Sequence, residues 1–299
     1  MQHEALIYDD DQRVVDHVVP FLAEGLGDGS PAVAVLSRHN WANVRDALGA
    51  DADHVAFTDC NDFYVNPVRS IAAYDATLTA LLGAGATSVR VTGEIPLGPT
   101  PAEWRKWTSY EALLNLAFAD RPVDVYCLYD ARLAPEEMLG GVVQTHRHLT
   151  GDAHEINPHY RDPDELVAAL APEPGLLHDL RTLRSSDDPL VFREAVAAEL
   201  AAAAVPPAKA MEMLVAANEL FVNAARHGGG VRAVRAGLVD GWFVVEVTDG
   251  GPGLDDPTAG FLPPRPGRHR GAGLWIARQL VSRLEFVPAD PGLTARLWL

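Results

Sequence analysis

Short apolar runs alternate with amphipathic stretches through the first half of the chain. The runs lie at residues 5–8, 32–36, 54–57, 88–91 and 123–128, and they have the length of buried strands. Between them, apolar side chains recur at helical spacing over residues 13–26 and 104–118. Because strands separated by helices pair in parallel, residues 1–150 are predicted to form an α/β three-layer sandwich with a mostly parallel sheet.

The second half follows a different pattern. Residues 151–175 are polar and interrupted by proline, which predicts a linker. Helices are predicted over 189–204 and 208–227, separated by Pro206-Pro207, and strands over 231–239 and 242–248 around the hairpin signal Asp240-Gly241. A helix over 274–284 and a strand over 293–299 complete the pattern. Residues 176–299 are therefore predicted to be an α+β domain with helices on one face of an antiparallel sheet.

Charge and cysteine content exclude several classes of protein. The 299 residues include 24 Lys and Arg against 41 Asp and Glu, a net charge of −17, which repels nucleic acid and anionic lipid. No apolar run reaches the length of a membrane span. Cys60 and Cys127 lie in no CxxC pattern and beside no histidine pair, so neither a disulfide framework nor a structural zinc site is expected. We expect a cytoplasmic protein that binds neither nucleic acid nor membranes directly.

Two polar residues on the predicted helix 208–227 suggest chemistry. Glu219 and Asn223 are one turn apart and project side by side. The amide oxygen suits Mg²⁺, and the carboxylate can orient or deprotonate a nucleophile. Taken alone, the pair is more simply interpreted as part of the solvent face of a helix.

Three further motifs follow in a fixed order. Asp249-Gly250-Gly251-Pro252-Gly253 comes directly after a predicted strand. Gly271-Ala272-Gly273 then opens a helix, whose free N–H groups can bind phosphate. Gly292-Leu293-Thr294 enters the last strand. The presence of all these motifs in this order is more specific evidence for a function than any one motif by itself.

This ordered set resembles the GHKL (Bergerat-fold) ATPases, and most closely the anti-sigma-factor serine kinases, over residues 180–299. The resemblance implies ATP and Mg²⁺ as ligands and assigns a role to each motif. Glu219 would be the general base, Asn223 would hold Mg²⁺, and Asp249 would accept the adenine amino group. Gly251 and Gly253 would allow close packing at the base, Gly271 and Gly273 would hinge a lid, and Thr294 would complete the adenine water network. In the lid, Arg270 lies among Arg265, Arg268 and His269, a cluster that either contacts phosphate or serves solubility.

The first half resembles the MEDS sensory domain in residues 3–9, 20–26, 92–94, 110–115 and 127–130. That family looks like a RecA-type sandwich without a phosphate loop, and residues 1–150 contain no such loop motif. Ligands of such sheets collect beyond the carboxyl ends of the strands. Candidate contacts for an unknown small molecule are His3, Tyr8, Glu94, Trp104, Glu111, Cys127 and Tyr129. Of these, His3, Trp104 and Cys127 are more often structural core residues than ligands. His146, His148, His154 and His159 are interpreted as surface residues.

Together these patterns predict a sensory domain that controls an ATP-dependent protein serine kinase. Its partners would be a sigma factor and an anti-sigma antagonist phosphorylated on serine, and a homodimer is possible. The first alternative is a non-catalytic pseudo-ATPase switch that acts through protein contacts. A second is a sensor histidine kinase with His178 as phosphoacceptor, but 40 residues between His178 and Glu219 leave no room for the long helical hairpin of such enzymes. Residues 176–183 are expected to form an edge strand or a docking segment.

Overall fold

The computed structural model describes residues 1–96, 98, 100–150, 155–170, 177–183, 188–254, 256, 258–261, 264 and 272–299. The chain divides into two units, Met1–Leu170 and Ala171–Leu299. None of the helices in these described ranges combines the length and the apolarity that a membrane crossing requires.

A seven-stranded sheet forms the centre of the first unit, counted over the described residues, in the order β3-β2-β4-β5-β1-β6-β7. Pairing is parallel from β3 to β6, and β7 runs antiparallel to β6. The predicted parallel sheet is confirmed. The strands are β1 (Gln2–Tyr8), β2 (Ala32–Leu36), β3 (Val55–Asp59), β4 (Val89–Glu94), β5 (Val123–Asp130), β6 (His148–Leu149) and β7 (Glu155–Ile156).

Helices cover both faces of this sheet. They are α1 (Asp11–Gly27), α2 (Arg38–Leu48), α3 (Cys60–Phe63), α4 (Pro67–Gly83), α5 (Pro101–Ala117), α6 (Glu136–Thr145) and α7 (Pro163–Ala169). Polar side chains cap several of them, as where Asp10 accepts from Gln12 N at the start of α1 and Thr100 accepts from Glu103 N at the start of α5. The helices α1 and α2 bury one face of the sheet, in the core that contains Leu6 and Leu128.

Strand alternation sends neighbouring side chains of β1 to opposite faces. Tyr8 belongs to the core beneath α1 and α2. His3, five positions earlier, points to the other face, where it contacts Asn115 of α5 and Cys127 of β5. The sensory candidates are therefore divided between the two sides of the sheet.

The segment predicted as a linker over residues 151–175 contains regular structure within residues 155–170. The first unit extends to Leu170 and includes β7 and α7. Asp162 accepts from Asp164 N and Glu165 N, Pro163 takes the first position of α7, and Leu166 is buried. Proline and aspartate in this segment predict an irregular chain, but in the structure they start a helix.

The second unit has a five-stranded antiparallel sheet, counted over the described residues, in the order β11-β12-β10-β9-β8. Its elements are β8 (Arg181–Thr182), α8 (Pro189–Ala202), α9 (Pro207–His227), β9 (Val231–Val239), β10 (Trp242–Asp249), α10 (Ala272–Leu280), β11 (Arg283–Ala289) and β12 (Gly292–Trp298). The helices share a core with one face of the sheet, through residues such as Phe221, Val245 and Ala277. The predicted α+β fold is confirmed.

Local predictions in this unit had mixed outcomes. The hairpin at Asp240-Gly241 is confirmed, and both residues have the positive φ angles, 49° and 83°, that a type I′ turn requires. The edge strand expected within residues 176–183 is β8. The helix predicted over 274–284 was wrong at its end, because α10 stops at Leu280 and residues from Arg283 pair with β12.

The sequence predicts an apolar face of α9 formed by Met211, Leu214, Val215, Val222 and Ala225, but the structure buries a different face. Met211 and Val215 are 62% and 40% exposed. The buried positions lie on another side of the helix, and they are Met213, Ala216, Ala217, Leu220, Phe221 and Ala224. Three of them are alanines, which let α9 pack closely against the core.

Candidate nucleotide site and candidate sensory site

Glu219 and Asn223 lie on α9 at the place where it packs against α10. Both are partly exposed, beside the buried Leu220 and Ala224. Gly273, in the first turn of α10, approaches both, since a Cβ atom there would lie 2.5 Å from Glu219 Oε2 and 3.6 Å from Asn223 Nδ2. The structure thus brings the polar pair to the amino-terminal end of a helix, where N–H groups are available to phosphate oxygens.

Asp249 ends β10 in a turn that rests on the end of α9. Its Oδ1 accepts from Gly251 N at 2.9 Å, and Gly250 N donates to Gly228 O at 2.9 Å. A Cβ atom at Gly251 would lie 2.8 Å from Gly228 Cα, so glycine is needed for this approach. The turn fixes the Asp249 carboxylate through one oxygen.

Thr294 lies opposite Thr248 in the pairing of β12 with β10. The two hydroxyl oxygens are 2.8 Å apart, and Thr294 is 9% exposed. Gly292, at φ 120°, comes so close to the Asp249 carbonyl that a side chain would overlap it. Three of the predicted motifs, around Asn223, Asp249 and Thr294, thus converge through contacts in the described part of the unit.

The segment over residues 253–271, which contains the predicted lid, is described only in part. Gly253 is exposed with φ 101°, whereas Gly271 and Arg270, like Arg265, Arg268 and His269, lie outside the described residues. Arg278 of α10 donates from Nε to Ala259 O at 3.1 Å, and its guanidinium carbon lies 3.8 Å from the centre of the Phe261 ring. Burial lowers the pKa of Arg278 to about 9. This side chain attaches residues 259–261 to α10.

His178 is exposed in a turn that precedes the edge strand β8. No helix within the described residues contains it. The arrangement gives no support to the phosphoacceptor alternative.

Tyr8 and Glu94 meet at the carboxyl ends of β1 and β4. Glu94 Oε2 accepts from Ser37 N at 2.8 Å and from Asn40 Nδ2 at 3.0 Å, and the same Asn40 nitrogen is 2.9 Å from the Tyr8 hydroxyl. Burial and the charge of Glu94 raise the pKa of Tyr8. Asn40, which sequence reasoning missed, joins the two predicted residues.

A second group lies in the layer between the sheet and α5. Glu111 Oε2 is 3.1 Å from His3 Nε2, its Oε1 accepts from the Tyr129 hydroxyl at 2.6 Å, and Cys127 Sγ is 3.3 Å from His3 Nε2. Burial and Glu111 raise the pKa of Cys127 well above its ordinary value. For Glu111, burial acts to raise the pKa, but His3, His146 and Tyr129 outweigh it and the pKa is lowered.

His146 completes this group and corrects the sequence interpretation. The sequence predicts a surface residue here, but His146 is fully buried at the end of α6, with its ring centre 4.1 Å from that of His3. Its neighbours in the sequence are polar, so no local pattern indicates that it is buried. His148 is partly exposed and His159 exposed, and His154 lies outside the described residues.

Trp104 lies apart from both groups. Its Nε1 donates to Gly98 O at 2.6 Å and the side chain is half-buried. A small cavity beside the second group is lined by Ile95, Trp107, Thr108, Glu111, Tyr129, Met138, Val142 and Thr145. Among the sensory candidates, Glu111 and Tyr129 reach this cavity.

Comparison with known families agrees with the division into two units. Residues 2–147 match the MEDS family, described as the MEthanogen/methylotroph, DcmR Sensory domain. Residues 189–298 match the histidine kinase-like ATPase domain. A search of curated proteins found no match. Residues 2–147 are therefore similar to a MEDS sensory domain, and residues 189–298 are similar to a histidine kinase-like ATPase domain.

Proposed function

We propose that the second unit binds Mg·ATP and transfers its γ-phosphoryl group to a serine of an anti-sigma antagonist. The same unit would hold a sigma factor, and the first unit would sense a small ligand and adjust both activities. The lack of CxxC patterns and the two buried free cysteines suit a reducing cytoplasm. Dimerisation would provide one way for the sensory unit to act.

The observation that carries this proposal is the convergence of Glu219, Asn223 and Gly273. A carboxylate and an amide stand at the start of α10, beside the turn that fixes Asp249. Asn223 would hold Mg²⁺ by its amide oxygen, and the N–H groups of α10 would bind the phosphates. The Asp249 oxygen not engaged by Gly251 would accept the adenine amino group, with Thr294 beside it.

In the proposed reaction, the serine hydroxyl oxygen bonds to the γ-phosphorus as the bond from that phosphorus to the bridging oxygen breaks. Glu219 takes the hydroxyl proton, and ADP leaves with the negative charge of the broken bond. Magnesium, when bound, neutralises charge on the phosphates. The protein therefore mainly positions the groups and excludes water.

Binding is tested by calorimetry on the full chain with Mg·ATP. Asp249→Asn replaces an ionised acceptor with an amide that also presents a donor, and we expect binding to weaken by about 1 to 3 kcal/mol. Asp240→Asn is the matched control, because Asp240 lies at a hairpin tip where asparagine tolerates the positive φ. Equal affinity in both variants would contradict the adenine role of Asp249.

Absence of ATP binding at millimolar concentration would leave a pseudo-ATPase switch. Binding without phosphotransfer to any supplied antagonist would leave a nucleotide-dependent switch. Label on the protein itself that is acid-labile, and that His178→Ala removes, would favour a histidine kinase.

A further inference from the structure

Four potential metal ligands meet inside the first unit. They come from β1, α5, β5 and the residue after α6, and are His3, Glu111, Cys127 and His146. All four side chains are buried, with exposures from 0 to 3%. One ligand atom from each lies within 4.8 Å of all the others.

Hydrogen bonds on the outer side of each imidazole fix which nitrogen faces inward. Asn115 Nδ2 donates to the backbone oxygens of Glu111 and Thr145, at 3.1 and 2.8 Å. Its Oδ1 must therefore be the atom 3.1 Å from His3 Nδ1, and it accepts that N–H. His146 Nδ1 donates to Val142 O at 2.9 Å. In the neutral form, each ring then presents an Nε2 lone pair to the cluster.

Hydrogen bonds within the described residues do not satisfy every polar atom of this cluster. His146 Nε2 is buried without a hydrogen-bond partner in the described residues, and Glu111 Oε2 lies 3.8 Å away. Because His146 Nδ1 carries the proton that it donates to Val142 O, the neutral ring holds a lone pair on Nε2. A buried lone pair facing a carboxylate without a proton between them is costly.

Neither of the two possible hydrogen bonds of His3 Nε2 removes the cost of leaving His146 Nε2 without a partner. His3 Nε2 can donate to Glu111, or the Cys127 thiol can donate to His3 Nε2, and either arrangement leaves His146 unsatisfied. A cation placed between the four atoms would satisfy all of them together. The carboxylate and a thiolate would balance the charge of a divalent ion.

The distances suit a tetrahedral ion of the zinc type. Usual bond lengths of Zn²⁺ to nitrogen, oxygen and sulfur place tetrahedral ligands about 3.3 to 3.6 Å apart. From Glu111 Oε2 the separations are 3.1 Å to His3, 3.8 Å to His146 and 4.0 Å to Cys127, and from His3 to Cys127 the separation is 3.3 Å. Imidazole and thiolate ligands favour zinc and similar ions over Mg²⁺ or Ca²⁺.

We propose that His3, Glu111, Cys127 and His146 bind one divalent transition-metal ion of the Zn²⁺ type. Binding replaces the thiol S–H bond with a metal–sulfur bond and releases the proton to solvent. Tyr129 and Asn115 orient Glu111 and His3 from the outside, as supporting residues do in metal sites. The proposal deepens the sensory role of the first unit, and its test uses metal alone, so its failure is separable from failure of ATP binding.

The test uses the full chain, freed of metal and titrated with Co²⁺ as a spectroscopic probe for Zn²⁺. We expect one Co²⁺ per chain, with visible bands of tetrahedral cobalt and a near-ultraviolet charge-transfer band from the thiolate. Cys127→Ser should remove the charge-transfer band. Cys60→Ser is the matched control, because Cys60 is equally buried and lies outside the cluster. Added Zn²⁺ should displace Co²⁺.

Two further variants keep the test valid if a ligand substitution affects folding. Tyr129→Phe retains all four ligands and should weaken metal binding about 10- to 100-fold, as loss of a supporting hydrogen bond does. Zn²⁺ should raise the melting temperature of the native chain and leave that of His146→Ala unchanged. Substoichiometric binding, or a charge-transfer band that persists in Cys127→Ser, would overturn the proposal in favour of a buried hydrogen-bond network.

Discussion

At the residue scale, the proposed catalytic role depends on one carboxylate. Glu219→Gln keeps the size of the side chain and removes its ability to accept a proton. We expect phosphotransfer to the antagonist to fall about 10²- to 10⁴-fold, the usual contribution of a general base, while ATP affinity changes little. Radiolabel transfer and calorimetry on the same preparation measure the two quantities.

Glu212→Gln provides the matched control on the same helix. Glu212 forms a surface ion pair with Lys209 at 2.7 Å and lies about two turns before Glu219. Its substitution should leave transfer unchanged. If Glu219→Gln remained fully active, Glu219 would have no role as base, and equal losses in both variants would indicate a general effect on α9.

The candidate pair Glu219 and Asn223 could be found in the sequence because its two members are close together there. Glu219 and Asn223 are four positions apart, and one helix is enough to bring them together. The cluster around Glu111 is different, because His3 and His146 are far apart in the sequence although the fold brings them together. No local pattern reveals such a group, and its recognition required the sheet register and the packing of α5.

At the element scale, the start of α10 has to pass close to α9. Gly273→Ala places a Cβ atom 2.5 Å from the present position of Glu219 Oε2, which forces that side chain to move. Alanine nevertheless favours a helix over glycine by about 1 kcal/mol. We expect phosphotransfer to fall while the melting temperature stays constant or rises, as measured by transfer assay and thermal denaturation.

The same substitution in an open position separates the two effects. Gly140 lies within α6 with no neighbouring atom within 4 Å of an added Cβ. Gly140→Ala should raise stability and leave transfer intact. Undiminished transfer in Gly273→Ala would mean that the contact between α10 and Glu219 has no part in the reaction.

Elements were predictable where local signals were strong. Asp240-Gly241 specified its hairpin because few residues adopt two successive positive φ angles. The predicted helix 274–284 overlaps the start of β11, because the few apolar positions there fit a helical spacing as well as a strand spacing. Pairing with β12, a contact that the sequence does not show directly, decides for a strand there. In the same way, α7 forms where its capping residues were interpreted as breaks.

At the scale of the whole molecule, the two units form separate folds on one chain. A sensor affects its output only if its ligand binds two states of the output unit unequally. Coupling of this kind is reciprocal, so a ligand that changes ATP affinity must have its own affinity changed by ATP to the same factor. This requirement can be tested without knowing how the signal travels.

The proposed metal site supplies the ligand for that test. We expect Mg·ATP affinity of the full chain to differ between the Zn²⁺-loaded and metal-free forms by about 5- to 150-fold, the usual range of allosteric coupling. Zn²⁺ affinity, measured with and without Mg·ATP, should differ by the same factor. Cys127→Ser should abolish both differences and Cys60→Ser should preserve them. Identical affinities in all forms, with metal and nucleotide both bound, would mean that metal binding supports the fold of the first unit and sends no signal to the second.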